Sequence, residues 1–141
     1  EKVVQGSRNP ELKQALEAAA LLIPDGIGVV IAARMLGRHK LSRVPGCELM
    51  PALCTLAAAR GHSIFLFGAA PGVAEEAAAA LLRANPSLRV AGCQHGYVSP
   101  AESEALVARI NAVRPDMLFV ALGSPRQELW IAETLPRLDV R

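Results

Sequence analysis

Three times between residues 63 and 130 the chain repeats one pattern: a short apolar run, a turn carrying glycine, then a helix start. Ser63-Ile64-Phe65-Leu66-Phe67 runs into Gly68-Ala69-Ala70-Pro71-Gly72 and a helix predicted through about Ala84. Leu88 to Cys93 runs into Gln94-His95-Gly96-Tyr97-Val98, then Ser99-Pro100-Ala101-Glu102, a capping box with proline at the first helical position. Asp116 to Leu122 runs into Gly123-Ser124-Pro125-Arg126-Gln127-Glu128-Leu129-Trp130. A fourth instance lies upstream, where Leu21-Leu22-Ile23 reads as a strand stopping at Pro24-Asp25-Gly26-Ile27-Gly28. Strands alternating with helices predict an α/β, Rossmann-like, mostly parallel sheet with helices on both faces. Right-handed crossovers then bring every strand-to-helix turn to one edge of that sheet. Ligands of open α/β sheets bind at that edge.

The helices follow from their punctuation. Asn9-Pro10-Glu11 is a helix start, and Leu12, Ala15, Leu16, Ala19 and Ala20 give an apolar face for a helix over 10–20. Val29 to Leu36 predicts a second, almost wholly apolar helix closed by Gly37, and such a helix is buried or set against a membrane or partner. Val44-Pro45-Gly46 leads to an extra helix from about Glu48 to Arg60, ended by Gly61. Hydrophobic residues make up 52% of the chain but aromatic ones only 4%, so the apolar mass is Ala, Leu and Val, which suits helices on a small-residue sheet. With 141 residues, a single domain over 1–141 is expected.

A net charge of +2, with no basic run interleaved with aromatics, argues against a nucleic-acid partner. Cys47, Cys54 and Cys93 form neither a C-x-x-C pair nor an even framework, so free thiols in a reducing compartment, the cytoplasm, are expected. No apolar stretch approaches the roughly 20 residues of a spanning helix. No His/Cys/Asp cluster has metal-ligand spacing and there is no Asp-x-Asp pair, so neither a metal nor another cofactor is expected. Glu1-Lys2-Val3-Val4-Gln5 reads as an element joined midway.

Each turn offers chemistry beside a purely structural role. Asp25 is a general-base candidate, or a cap for the helix that follows. Gly26 permits close backbone approach beside it. Arg38-His39-Lys40-Leu41-Ser42-Arg43 is either a solvated loop or a basic connector whose Arg43 meets a diphosphate. Gly68 and Gly72 bound a turn that can hold a phosphate on exposed amides. It is neither G-x-G-x-x-G nor a P-loop, and Leu88 to Cys93 supplies no acid for a ribose hydroxyl, which counts against an NAD enzyme. His95 is an acid/base candidate or an exposed loop histidine, and Tyr97 can stack on a base or sugar. Gly123 opens the last turn. Gln127 is either a substrate contact or the reciprocal half of a capping box with Ser124, and Trp130 is expected in the core. A carboxylate, an amide side chain, a basic loop and glycine turns on one edge describe a pocket for an anionic, polyhydroxylated ligand such as a nucleotide sugar.

At Pro24-Asp25-Gly26-Ile27-Gly28, Arg43-Val44-Pro45-Gly46, Gly68-x-x-Pro71-Gly72, Gly96-Tyr97 and Leu122-Gly123-Ser124-Pro125-Arg126-Gln127-Glu128-x-Trp130 the chain resembles the WecG/TagA/CpsF glycosyltransferases, family 26. The resemblance covers nearly the whole chain in order and spacing. It implies a metal-independent, inverting transfer of N-acetylmannosamine or a related sugar from a UDP-sugar donor to a lipid-diphosphate-linked acceptor, undecaprenyl-diphosphate-linked N-acetylglucosamine. Such a reaction serves cell-surface polysaccharide or wall teichoic acid synthesis. By resemblance Asp25 is the general base, Arg43 a diphosphate contact and Gln127 a substrate contact. It also implies a peripheral protein on the inner face of the cell membrane, and leaves a homo-oligomer open. The family's Thr-x-Asn strand motif has no counterpart in Glu1-Lys2-Val3-Val4, and Ser42 stands where the family tends to have Glu. The family continues past the position of Arg141 into a basic and aromatic membrane-associated segment, which residues 1–141 are expected to lack along with the N-terminal strand motif. The alternative from another class is a non-catalytic nucleotide-binding or oligomerising α/β domain.

Overall fold

The computed structural model describes residues 6–37 and 41–140. Helix α1 spans Pro10–Glu17, α2 Ile27–Met35 and α3 Gly46–Arg60. There follow β1 (Ser63–Gly68), α4 (Val73–Ala84), β2 (Arg89–Gln94), α5 (Pro100–Val113), β3 (Met117–Ala121), α6 (Arg126–Thr134) and a 3-10 turn, Leu135–Arg137. Among the described residues the sheet has three strands in the order β2-β1-β3, with β1 parallel to both neighbours. This is the α/β architecture with helices on both faces expected from the alternation.

The two-residue period of β1 builds two cores. Ile64 and Leu66 face one way and pack with Cys54 and Ala57 of α3 and Ala74 and Ala78 of α4. Phe65 and Phe67 face the other way, against Leu106 and Ile110 of α5 and, more exposed, Trp130 of α6. All six residues of β1 are buried, as a strand covered on both faces must be. Trp130 lies 4.8 Å from the Phe67 ring and donates from Nε1 to Ser103 Oγ at 2.9 Å, which satisfies its one polar atom on the side of the core. At the amino edge of the sheet, Asp116 Oδ2 accepts from Ser63 N at 2.7 Å and Ser63 Oγ at 2.9 Å, pinning the starts of β1 and β3 together.

The predicted caps form at two helix starts. Asn9 accepts from Leu12 N at 3.1 Å, and Ser99 with Glu102 makes the full capping box. Hydrogen bonds from the Ser99 backbone and hydroxyl hold the Glu102 carboxyl below its ordinary range. Burial raises the thiols of Cys54 and Cys93, and Cys47 is exposed, all three being free.

Two upstream expectations are corrected. Leu21, Leu22 and Ile23 are irregular and exposed (78%, 61% and 40%), although their apolar run reads as a strand. A strand exists only by pairing, and the three strands of the sheet are all elsewhere. Helix α1 stops at Glu17, with Ala18 as its cap, so Ala19 and Ala20 lie past its end. Helix α2 forms where expected, but Val30 is its one buried residue, while Ile27, Ile31 and Met35 are exposed. Arg38, His39 and Lys40 of the basic connector lie outside the described residues, as do Glu1 to Gln5. No helix among the described residues is long and apolar enough to cross a membrane.

Candidate functional site

The order β2-β1-β3 places a reversal of winding at β1. From β1 the chain passes through α4 on one face to β2, then returns through α5 on the opposite face to β3 on the far side of β1. In open α/β sheets the crevice at such a switch point, beyond the carboxyl ends of the strands, is where ligands sit.

Backbone contacts gather the three strand-to-helix turns at that place. Ala69 N donates to Ala121 O at 2.9 Å, and Gly96 N donates to Ala69 O at 2.8 Å. Gly68 has φ +137°, and a Cβ there would stand 2.2 Å from Ala121 O. A Cβ on Gly96 would stand 2.7 Å from Leu122 Cδ2 and 3.2 Å from Gly68 Cα. The turns therefore meet main chain to main chain, with no room for side chains between them. Above them lies an open cavity of about 160 Å³, lined by Ala69, Ala70, Gly96, Tyr97, Ala121, Leu122 and Arg126. Tyr97 is 72% exposed at its rim. Gly72 caps α4 at φ +88°, and Gly123 turns the chain out of β3 at φ +77°.

Asp25 and Arg43 form a second constellation. Arg43 Nε donates to the main-chain oxygen of Asp25 at 2.7 Å, and Val44 N donates to Pro24 O at 3.0 Å, so the connector's end is fastened to the Asp25 turn. Both side chains are exposed. The cap of α2 is Gly26, and no side chain makes a capping bond there. The capping role that competed with chemistry at Asp25 is therefore not the one the carboxylate fills. Among the described residues, the backbone bonds that lace the three downstream turns do not reach Asp25.

Gln127 is released from its competing role in the same way. The cap of α6 is Pro125, with no side-chain capping bond, and the expected box between Ser124 and Gln127 is not made. Proline at the cap has no side-chain acceptor, and Gln127 Nε2 instead donates to Glu128 Oε1 at 3.1 Å. Gln127 also lines a largely apolar groove of about 830 Å³ whose other walls include Leu16 of α1, Leu22, Ile23 and Ile131. That groove connects the last turn with the segment leading into Asp25. His95 is half-buried, and its Nδ1 is buried with no hydrogen-bond partner among the described residues.

Sequence reasoning passed over Arg126. It lines the cavity, and its Nη2 donates to Gly96 O at 3.4 Å, tying the last turn to the third. The available signal was a cation at the first position of the helix that follows the last glycine turn. Among the described residues no three His, Cys, Asp or Glu side chains are grouped to hold a metal ion.

The sequence matches the family model described as "Glycosyl transferase WecG/TagA/CpsF family" over residues 1–141. It is 35% identical over 127 residues to an N-acetylglucosaminyldiphosphoundecaprenol N-acetyl-beta-D-mannosaminyltransferase of Bacillus spizizenii, a match covering 90% of this chain and 49% of that relative. The chain thus spans about half the length of the relative it matches.

Proposed function

The chain belongs to the WecG/TagA/CpsF glycosyl transferase family, and we propose that it transfers N-acetylmannosamine or a related sugar from a UDP-sugar to undecaprenyl-diphosphate-linked N-acetylglucosamine. The relative's name, an N-acetylglucosaminyldiphosphoundecaprenol N-acetyl-beta-D-mannosaminyltransferase, supports the choice of sugar and lipid-linked acceptor in this reading. The observation that carries it is the Asp25 turn: its main-chain oxygen is held by Arg43, while α2 is capped by Gly26 without help from the carboxylate. An exposed carboxylate fixed through its own backbone, beside a guanidinium, suits an inverting transfer.

The acceptor hydroxyl attacks the anomeric carbon on the face opposite the diphosphate. As the new C–O bond forms, the Asp25 carboxylate takes the hydroxyl proton. The bond from the anomeric carbon to the phosphate oxygen breaks, and its electron pair leaves on UDP. Arg43, using Nε for the Asp25 carbonyl, keeps its two terminal nitrogens for the charge that builds on that diphosphate. Gln127 offers an amide to sugar hydroxyls, and the Gly68, Gly72, Gly96 and Gly123 turns bring backbone close to the donor, with Tyr97 as a stacking surface. No step requires a metal, and the protonation and charge roles are filled by side chains. A lipid-linked acceptor supports a peripheral protein working on the inner face of the cell membrane.

Arg43→Ala is expected to weaken UDP binding by about 1.5 to 3 kcal/mol, the range for charged hydrogen bonds. Transfer should fall further than binding does, because the same guanidinium steadies the Asp25 turn. Isothermal titration with UDP alongside a turnover assay reads both effects. Unchanged UDP affinity would remove Arg43 from the donor site.

A further inference from the structure

We infer that Arg126 is a second diphosphate-binding arginine, holding the donor's phosphates over the switch point between β1 and β3. The inference rests on the nucleotide-sugar reading above and adds a residue and a place to it. Three observations support it. Arg126 lines the cavity at the carboxyl ends of the strands, beside Ala69, Ala70 and Gly96. Its one hydrogen bond among the described residues, from Nη2 to Gly96 O at 3.4 Å, is long and occupies one of five N–H donors. The side chain is exposed rather than packed away, so the remaining donors are open to a ligand in that cavity.

The cavity's size fits this assignment. At about 160 Å³ it holds on the order of five waters, enough for phosphate groups but not for an entire nucleotide sugar. The rest of the donor must extend out of it, over exposed Tyr97 on one side and toward Gln127, the residue that follows Arg126 in α6. Among the described residues lining the cavity Arg126 is the one charged group, so an anion there meets a cation. The planar fork also explains the choice of arginine, because it can keep one nitrogen on the Gly96 carbonyl while two others reach phosphate oxygens.

The experiment compares wild type, Arg126→Ala and Arg126→Lys in titrations with UDP, UMP and uridine. Wild type should prefer UDP to uridine. Arg126→Ala should weaken UDP by about 10- to 100-fold, the equivalent of losing one or two charged hydrogen bonds. Its uridine affinity should be unchanged, and Arg126→Lys should recover part of the UDP affinity. A role confined to tying the Gly96 turn in place would weaken uridine and UDP by the same factor, and that result overturns the inference. So does a UDP affinity equal to wild type in Arg126→Ala, which leaves the nucleotide-sugar reading intact. Failure of wild type to bind UDP at all overturns that reading itself, and the role of Arg126 with it.

Discussion

Asp25→Asn is expected to lower the transfer rate by about 100- to 10,000-fold, the usual contribution of a positioned base. UDP affinity and melting temperature should stay close to wild type. The amide is nearly isosteric with the carboxylate but cannot take the acceptor hydroxyl's proton. The backbone contact that fixes the turn, from Arg43 Nε to the residue 25 carbonyl, involves no side-chain atom of Asp25 and survives the change. Nor does a cap disappear, since Gly26 occupies the cap position of α2 and the side chain makes no bond there. Rate and stability are thereby separated more cleanly than at most carboxylates. Full turnover in Asp25→Asn, measured with a UDP-sugar and a lipid-diphosphate acceptor, would remove Asp25 from the chemistry.

Gly68→Ala is expected to cost about 3 kcal/mol or more and to abolish UDP binding. The φ of +137° is one that side-chain-bearing residues rarely adopt, and strain of this kind costs on the order of 1 to 3 kcal/mol by itself. The added Cβ would also stand 2.2 Å from Ala121 O, a main-chain atom that cannot swing aside, so the β1 and β3 turns must part. Gly72→Ala is the internal comparison. It has a positive φ of 88° but open space around its Cβ, so its cost should be confined to backbone strain of about 1 to 2 kcal/mol. Denaturant unfolding of the two variants reads the difference. Equal losses would show that the close approach of the two turns contributes nothing.

These effects concern residues whose positions differ in how far the sequence reveals them. The strands of the sheet were legible because each is a short, largely apolar run bounded by turn residues, with β1 buried throughout and β2 and β3 half-buried. Ser63 to Phe67 alternates between two cores as its apolar content implies, and the helix after β2 starts at the capping box expected from Ser99 and Glu102. Leu21 to Ile23 carries the same apolar signal yet is not a strand, because composition records what a segment can bury and says nothing of which neighbour pairs with it. Helix α2 makes the same point about burial. Its sequence is almost wholly apolar, but the described residues bury only Val30.

The candidate site was legible in its parts more than in its grouping. Strand ends identify which turns share an edge, and the contacts among Gly68, Ala69, Gly96 and Ala121 follow from that. Spacing alone could not tell a capping glutamine from a ligand-facing one. Ser124 and Gln127 have the separation of a capping box, but Pro125 takes the cap position and the box is not made. Arg126 was hidden for the opposite reason: a lone cation at a helix start resembles any solvated residue until the cavity beside it is known. The link between Arg43 and the Asp25 carbonyl joins residues 18 positions apart across an intervening helix, and no local pattern encodes it.

The most direct measurement is transfer of labelled N-acetylmannosamine from its UDP derivative to undecaprenyl-diphosphate-linked N-acetylglucosamine, in the presence of EDTA, with the anomeric configuration of the product determined. The expected result is product formation with inversion at the anomeric centre and no loss of rate to the chelator. Absence of transfer, retention of configuration, or activity that disappears with EDTA and returns with a divalent cation would contradict the reaction proposed for Asp25 and Arg43.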